Sequence, residues 1–325
     1  MFHPKKDVIV AATAPTNDVG IKIAARPSLA KYIIYQFKHS NKWGYIFILP
    51  LLIDFAIFTV YLVVRGILMS FQALDFGETT WIGLLNYTSL LKDERFYNAM
   101  KNTIVYTIGV VPGGILLSLL VSEMVFRRST MVQAFFKSAY YLPSVVSTVA
   151  WSLVWIFIFQ PFYGILNYIV GLVGVEPINW VGNPLTAMPA IMFLGIVGGL
   201  GASVVFITAA MGGISTDYYD AAKIDGASEW QRLWRVTVPL LRPTLLYLFV
   251  VGFIGNFQIF EQIYVMTAGG PGYPGATETV GYLIFSSAFA GFNFGYAAAQ
   301  SVILFIVIVI FSVFQFRFFS ADSSY

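Results

Sequence analysis

Residues 296–316 read YAAAQSVILFIVIVIFSVFQF and contain no Asp, Glu, Lys or Arg. A helix that crosses the hydrocarbon core of a bilayer needs about 20 consecutive, mainly apolar residues. This stretch has that length and that composition. It therefore predicts a transmembrane helix.

Other apolar runs of similar length precede this one. They occupy residues 45–70, 100–124, 135–159, 185–211 and 240–266. Together with 296–316 they predict an all-α integral membrane protein with six transmembrane helices. Another apolar stretch, 165–173, is too short to span and is predicted to form a surface helix.

The composition agrees with a membrane protein. The 325 residues are 58% hydrophobic and 11% charged, with no cysteine. A soluble domain is about 25% charged, so this chain has too little polar surface for a water-soluble globule. The same composition excludes a disordered chain and a disulfide scaffold. The net charge of +3 is too small to indicate a nucleic-acid partner.

The basic residues lie in alternate connections, and this pattern predicts the orientation. Fifteen Lys and Arg residues lie before span one, between spans two and three, between spans four and five, or after span six. The remaining connections hold Lys92 and Arg95. Because cytoplasmic connections carry the excess of positive charge, both termini are expected in the cytoplasm.

The predicted domain organisation has three parts. Residues 1–42 form a cytoplasmic N-terminal tail that ends in an interfacial helix. Residues 43–319 form the transmembrane domain, and residues 320–325 form a cytoplasmic C-terminal tail.

Small residues with four-residue spacing occur in two of the predicted spans. They are the pairs Gly109 and Gly113 in span two and Gly195 and Gly199 in span four. Such spacing lets helices approach closely. It favours packing within the bundle, with a dimerisation face as the alternative.

Residues with catalytic or metal-binding chemistry are scarce in the predicted spans. The two histidines, His3 and His39, precede span one, and with no cysteine a metal site of the usual kinds is not expected. Residues 269–275, GGPGYPG, lack the Lys-Ser/Thr of a phosphate loop and are predicted to form an outer turn. We therefore predict that this chain neither binds ATP nor acts as an enzyme. Glu123 lies four residues before Arg127, a spacing that favours a surface ion pair.

Span five is the most polar of the six. Asn256, Gln258, Glu261 and Gln262 lie in it, with the two glutamines four residues apart. Polar side chains in a membrane helix face other helices or a wet cavity. Two interpretations stay open, an amide-rich wall for a hydroxylated solute and hydrogen bonding between helices.

The connection between spans four and five has the pattern helix–glycine–helix. Ser215 or Thr216 is suited to cap a first helix, Gly226 to end it in the left-handed conformation, and Ser228 to cap a second one. With its mixed charges and its aromatic residues Tyr218, Tyr219, Trp230 and Trp234, the segment predicts a rigid docking element. An interfacial connection lying on lipid is the alternative.

Several motifs in this connection and around it resemble one family. Residues 220–222 (DAA), 225–227 (DGA) and Pro239 are similar to the EAA loop of permease subunits of binding-protein-dependent ABC importers, here the carbohydrate group. Residues 83–87 (GLLNY), 98–103 (NAMKNT), 266–271 (MTAGGP) and 277–279 (TET) also match, the last two resembling the first permease of such systems. Position 220 is Asp where the family pattern has Glu. Asp220 keeps the negative charge but carries it on a shorter side chain.

The resemblance implies a coupling helix within residues 214–241 that docks on an ATPase subunit. The residues implied in coupling are Tyr218, Asp220, Ala221, Ala222, Asp225, Gly226 and Ala227. The resemblance also implies a second, similar permease, two ATPase subunits that hold ATP and Mg²⁺, and an extracytoplasmic solute-binding protein, in the inner membrane of a prokaryote. No cofactor is implied in this chain.

The implied cargo is an oligosaccharide or a sugar derivative. Because aromatic faces stack on sugar rings and amides satisfy hydroxyl groups, the predicted substrate pathway is Asn256, Phe257, Gln258, Glu261, Gln262 and Tyr264. The predicted contacts with the binding protein are Gly269, Gly270, Pro271 and Tyr87. Two other classes stay open, an ion-driven secondary sugar carrier and an intramembrane sugar or lipid transferase.

Overall fold

The computed structural model describes residues 42–75, 78–272 and 275–320. The predicted N-terminal tail with its interfacial helix and the predicted C-terminal tail lie outside the described residues, apart from Lys42 and Ser320 at their edges. The chain divides into two units, residues 1–64 and 65–325.

In the first unit the described residues are helical. Helix α1 (Lys42–Phe55) continues through a π-helical segment (Ala56–Tyr61) into helix α2 (Leu62–Met69), which crosses the unit boundary. Residues 45–64 all have exposed side chains and are almost entirely apolar. Such a surface is stable only against lipid or another apolar surface.

The regular structure described in the second unit is helical apart from one hairpin. Its strands are β1 (Gln72–Asp75) and β2 (Glu78–Trp81), antiparallel with Gln72 opposite Trp81. Its helices up to the fourth predicted span are α3 (Leu85–Leu90), α4 (Glu94–Phe126), α5 (Thr130–Val145), α6 (Thr148–Ile158), α7 (Ile165–Gly171) and α8 (Ala187–Gly212). The later ones are α9 (Thr216–Ile224), α10 (Glu229–Arg232), α11 (Val238–Leu240), α12 (Arg242–Phe257), α13 (Glu261–Met266), α14 (Val280–Phe285) and α15 (Phe294–Ser320).

Helices α4 and α8 pack against each other along much of their length. A Cβ atom at Gly109 would lie 2.9 Å from Sδ of Met192 on α8. One at Gly113 would lie 3.2 Å from Cδ1 of Ile196. Because these glycines of α4 face α8 at close range, packing within the bundle is the interpretation that the structure supports.

The described part of the chain allows up to six membrane spans, the predicted number, but two of these spans are bent helix pairs. Among the described residues four helices are long and apolar enough to cross a membrane, and six are reached if each of two bent helix pairs counts as one span. The predicted third span is such a pair, α5 and α6, bent by 99°. Pro143 lies near the end of α5, and the Ser147 side chain accepts a hydrogen bond from the Ala150 amide as the N-cap of α6. The span predicted over 135–159 therefore consists of two helices joined at a sharp bend.

The predicted fifth span is also interrupted. Helix α12 ends at Phe257, and α13 begins at Glu261. Gln258 and Gln262 consequently lie on opposite sides of a break, not one turn apart on one helix. At its other end, α12 follows the segment Glu229–Leu240 across a bend of 73°.

The hairpin and helix α14 were not predicted. The hairpin is held beside α3, where Nδ2 of Asn86 donates to the carbonyls of Ser70 and Gln72, at 2.9 and 3.1 Å. Helix α14 continues in a π-helical segment (Ser286–Ala290) and packs on α15. The predicted surface helix at 165–173 is confirmed as α7.

Candidate functional site

A cavity of about 510 Å³ lies among helices α4, α8 and α12 and the break before α13. Pockets that bind small molecules are typically about 300–1,000 Å³. Apolar side chains and glycines line most of it. Its polar side chains are Tyr106, Thr148, Ser203, Asn256, Gln258, Glu261 and Gln262.

The amides of the cavity wall are fixed by hydrogen bonds. The Tyr106 hydroxyl of α4 donates to Oε1 of Gln262 at 2.8 Å. Asn256 donates through Nδ2 to the Gly252 carbonyl at 2.8 Å, and Gln258 through Nε2 to the Ile254 carbonyl at 2.9 Å. Hydrogen bonding between helices and an amide-rich wall are therefore compatible interpretations. Gln262 bonds to another helix, and Asn256, Gln258 and Gln262 all line the cavity.

The break between α12 and α13 is held by the segment that precedes α14. The Thr279 hydroxyl donates to the Ile259 carbonyl at 3.0 Å, which satisfies a backbone group that the break leaves without a helical partner. The backbone amide of Val280 donates to the Thr103 hydroxyl at 2.9 Å. The sequence linked residues 277–279 only to the family resemblance. It did not predict that Thr279 holds this break.

The structure brings four of the six predicted pathway residues to the cavity. Asn256, Gln258, Glu261 and Gln262 line it. The other two lie elsewhere. Phe257 is buried in an apolar cluster, with its ring 5.5 Å from that of Phe311. Tyr264 packs its ring 5.5 Å from that of Phe260.

Three polar cavity residues were missed by sequence reasoning. Tyr106 and Ser203 lie within apolar runs, and Thr148 begins helix α6 after the bend. No local sequence signal distinguishes them from residues that pack in the bundle. Their place in the cavity depends on which helices meet.

The predicted contacts for a binding protein lie in the loop after α13 and in helix α3, and internal hydrogen bonds order both. The Gly269 amide donates to the Tyr264 carbonyl at 2.7 Å, and the Tyr282 hydroxyl donates to the Gly269 carbonyl at 3.2 Å. Tyr87 forms a hydroxyl–hydroxyl hydrogen bond of 2.6 Å with Ser70. Gly269, Gly270, Pro271 and Tyr87 are all half-buried.

At the same end of the molecule, a buried carboxylate fastens the loop to α4. Glu278 accepts from Nε and Nη2 of Arg95, at 2.9 and 2.6 Å. The Glu278 side chain is 3% exposed and that of Arg95 is 53% exposed. Asn102 of α4 donates to the carbonyls of Gly275 and Glu278, at 2.7 and 2.9 Å.

The opposite end carries the predicted helix–glycine–helix, and the structure confirms its geometry. Ser215 caps α9, and Gly226 has φ +73°. The amides of Gly226 and Ala227 donate to the carbonyls of Lys223 and Ala222, at 3.0 and 2.9 Å, which closes the end of α9 in a Schellman motif.

The second helix of this segment begins as predicted. Ser228 and Gln231 form a capping box at the start of α10, with Ser228 accepting from the Gln231 amide at 3.3 Å. Leu233 and Leu241, which follow α10, are buried with residues of α4 and α8. The segment is therefore held firmly at its base.

The outer surface of this segment presents large apolar side chains. Ile224 is 88% exposed, Trp230 is 60% exposed and Tyr218 is 57% exposed. Tyr219 is half-buried, and its hydroxyl lies 3.2 Å from the Thr237 hydroxyl at a hydrogen-bonding distance. Asp220 forms an ion pair with Lys223 at 2.8 Å, and Ala221, Asp225 and Gly226 are exposed.

An ion-pair network joins this segment to helix α4. Arg127, which follows α4, pairs with Glu123 as predicted and also with Glu229 of α10. Glu229 pairs in turn with Arg232, at 3.2 Å. The helix that lines the cavity is thus connected to the helix–glycine–helix at its far end.

The sequence of most of the second unit matches a known family. A model of the family "Binding-protein-dependent transport system inner membrane component" matches residues 95–321. The chain belongs to this family. As a family member it is a membrane component of a transport system that depends on a binding protein.

Relatives of this transport component cover most of its length. It is 31% identical over 299 residues to the arabinooligosaccharides transport system permease protein of Bacillus subtilis, with 90% of this chain and 93% of the relative covered. It is 31% identical over 281 residues to the sn-glycerol-3-phosphate transport system permease protein of Agrobacterium fabrum, with 84% of this chain and 93% of the relative covered.

Solved structures of transporters share the fold. A chain of a bacterial ABC transporter involved in the import of the acidic polysaccharide alginate superposes with a TM-score of 0.78 at 23% identity. The match covers 92% of this transport component and 100% of that chain.

Proposed function

We propose that this chain is one permease subunit of an ATP-driven importer for an oligosaccharide or a sugar derivative. It works with a second, similar permease, two ATPase subunits and an extracytoplasmic solute-binding protein, in the cell membrane of a prokaryote. ATP and Mg²⁺ bind to the ATPase subunits. The family membership and the arabinooligosaccharide relative support this assignment.

The observation that carries the proposal is the composition of the cavity wall. Three amides and a tyrosine hydroxyl line an open space of about 510 Å³ whose other lining residues are mostly apolar. A sugar presents many hydroxyl groups, each of which needs a partner when it leaves water. Amides that donate and accept supply such partners without charge, so the wall suits a hydroxylated cargo.

The helix–glycine–helix is the element that we assign to ATPase docking. Its exposed Tyr218, Ile224 and Trp230 present an apolar surface of the kind that marks a protein interface. Asp220, Ala221, Ala222, Asp225, Gly226 and Ala227 shape that surface. Because Glu229 pairs with Arg127 at the end of α4, a displacement of the docked segment is transmitted to a wall of the cavity.

The distribution of basic residues supports the orientation. Arg127, Arg128 and the cluster Lys223, Arg232 and Arg235 lie at the end that carries the helix–glycine–helix. We place this end in the cytoplasm, beside the ATPases. The half-buried Gly269–Pro271 and Tyr87 then lie on the outer side, where the binding protein delivers cargo.

Purification of the full chain from its native membrane in mild detergent tests the proposal. We expect a second permease and ATPase subunits to be recovered with it, and ATP hydrolysis that a cargo-loaded binding protein stimulates. Recovery of the chain alone contradicts the proposal. Transport by the isolated chain without ATP indicates a secondary carrier, and turnover of a sugar or lipid by the isolated chain indicates a transferase.

A further inference from the structure

The charge of the cavity wall is one-sided. Glu261 is the one carboxylate among the residues that line the cavity, and none of those lining residues is Lys, Arg or His. Glu261 is exposed at the start of α13. None of the ion pairs formed within the described parts of the chain involves it. The cavity therefore presents a negative charge with no positive one beside it.

The neutral groups around Glu261 offer hydrogen-bond partners to hydroxyl groups. Asn256 and Gln258 each commit one N–H to a carbonyl of α12 and keep their side-chain oxygens as acceptors. Gln262 accepts from Tyr106, which leaves its amide N–H groups as donors. A sugar hydroxyl both donates and accepts, so it pairs with each of these groups and also donates to the Glu261 carboxylate.

We infer that this cavity selects uncharged carbohydrates against anionic ones and that Glu261 is the residue that excludes the anions. The inference rests on the proposed function, because it assigns the cargo class to the same cavity. Two unit negative charges about 10 Å apart in a medium of effective dielectric constant about 20 repel enough to weaken binding by about tenfold or more. No lysine or arginine of the described lining offsets this repulsion.

The inference separates this chain from two of the proteins that it resembles. The transporter of similar fold imports an acidic polysaccharide, and one relative is named for sn-glycerol-3-phosphate. The arabinooligosaccharide relative is named for a carbohydrate without an ionisable group. The cargo class inferred for this chain is the one that this last relative's name describes.

Equilibrium binding to the assembled importer in lipid nanodiscs, without the binding protein, tests the inference. The probes are neutral trisaccharides and the uronate counterpart of each, for example mannotriose and trimannuronate, which differ at C6 alone. We expect the tightest ligand to be neutral and its uronate counterpart to bind at least about tenfold more weakly. Glu261→Gln removes the charge at similar volume and is expected to bring the two affinities within about threefold.

A matched control variant removes a carboxylate that lies outside the cavity wall. Glu176→Gln removes an exposed carboxylate from the loop before α8, outside the cavity wall, and is expected to keep the wild-type preference. If an anionic probe binds most tightly, or if Glu261→Gln leaves the ratio unchanged while neutral sugars still bind, the charge selection is overturned and the importer proposal stands. If neither class of sugar binds or stimulates ATP hydrolysis, both proposals fall.

Discussion

Arg127 forms an ion pair with Glu229, and this contact joins the residue that directly follows helix α4 to the first residue of helix α10. Helix α4 also carries Tyr106, whose hydroxyl holds Gln262 in the cavity wall. Its 33 residues extend about 50 Å at about 1.5 Å per residue. One continuous helix therefore connects the proposed docking element with the proposed cargo site.

Loss of the Arg127–Glu229 pair should weaken coupling more than folding. Glu229→Gln removes the charge from a side chain that is 74% exposed but that also pairs with Arg232, which is 10% exposed, so a stability loss of about 1–3 kcal/mol is expected. Transport per ATP hydrolysed is expected to fall severalfold, because the segment then moves without pulling on α4. The ratio of cargo uptake to phosphate release in proteoliposomes measures this. Asp217→Asn, on the exposed face of α9, is the control and should keep the wild-type ratio; equal ratios in all three proteins would contradict the link.

The fit of α8 against α4 depends on Gly195. A Cβ at Gly195 would collide with the Tyr106 hydroxyl, whereas a Cβ at Gly212, at the end of the same helix and outside the cavity wall, meets no atom within 4 Å. Gly195→Ala should displace Tyr106 from Gln262 and lower cargo affinity by about tenfold, the loss expected for one buried hydrogen bond. Gly212→Ala should keep both the affinity and the stability, since it adds a methyl group outside the cavity wall and alanine is well tolerated in a helix. Sugar-binding titrations and thermal unfolding check both variants, and equal affinities would show that the close approach has no role in the cavity.

Because Arg95 pairs with the buried carboxylate of Glu278, we expect its loss to lower the free energy of unfolding. Arg95→Ala leaves a carboxylate that is 3% exposed without its partner, and we expect a loss of about 3 kcal/mol. Arg95→Ala with Glu278→Leu should recover most of that loss, because the unpaired buried charge is gone. Thermal unfolding of the detergent-solubilised complex gives the comparison. A double variant as unstable as the single one would show that the two residues do not act as a pair.

Local features could be predicted from the sequence because neighbouring residues determine them. Ser215, Gly226 and Ser228 act within a few residues of themselves as caps and as a left-handed helix end, and the structure confirms all three. The apolar runs indicated a helical membrane protein for the same reason. A run's composition, however, does not tell whether its helix is continuous. Gln258 lies in an apolar run, and the break there is held by Thr279, which comes later in the chain.

The cavity could be predicted only in part, because contacts between distant residues form it. The amides around Gln258 were conspicuous in an apolar helix, and they line the cavity. Tyr106 was not conspicuous, since its partner Gln262 lies 156 residues away. The pairing of Arg127 with Glu229 spans 102 residues and was missed for the same reason. Phe257 was assigned to the pathway by residue type, but its side chain points into the apolar cluster around Phe311.

We propose that the helix–glycine–helix at 214–241 transmits ATPase motion as a rigid body. Substitutions at Gly226 give a sharp test of this proposal. Gly226 has φ +73° with open space around its Cα, so a side chain there meets backbone strain and no collision. Gly226→Val puts a β-branched residue into a left-handed conformation that such residues avoid. Asparagine tolerates this conformation, so Gly226→Asn is the first control. The second control is Gly212→Val, which adds the same side chain at a helical position where no atom lies within 4 Å of its Cβ.

The measurement is cargo uptake per ATP hydrolysed by the assembled importer in proteoliposomes. We expect Gly226→Val to retain basal ATP hydrolysis and lose most uptake, while Gly226→Asn and Gly212→Val stay close to wild type. Wild-type uptake per ATP in Gly226→Val would contradict the claim that this segment couples the ATPases to the cavity.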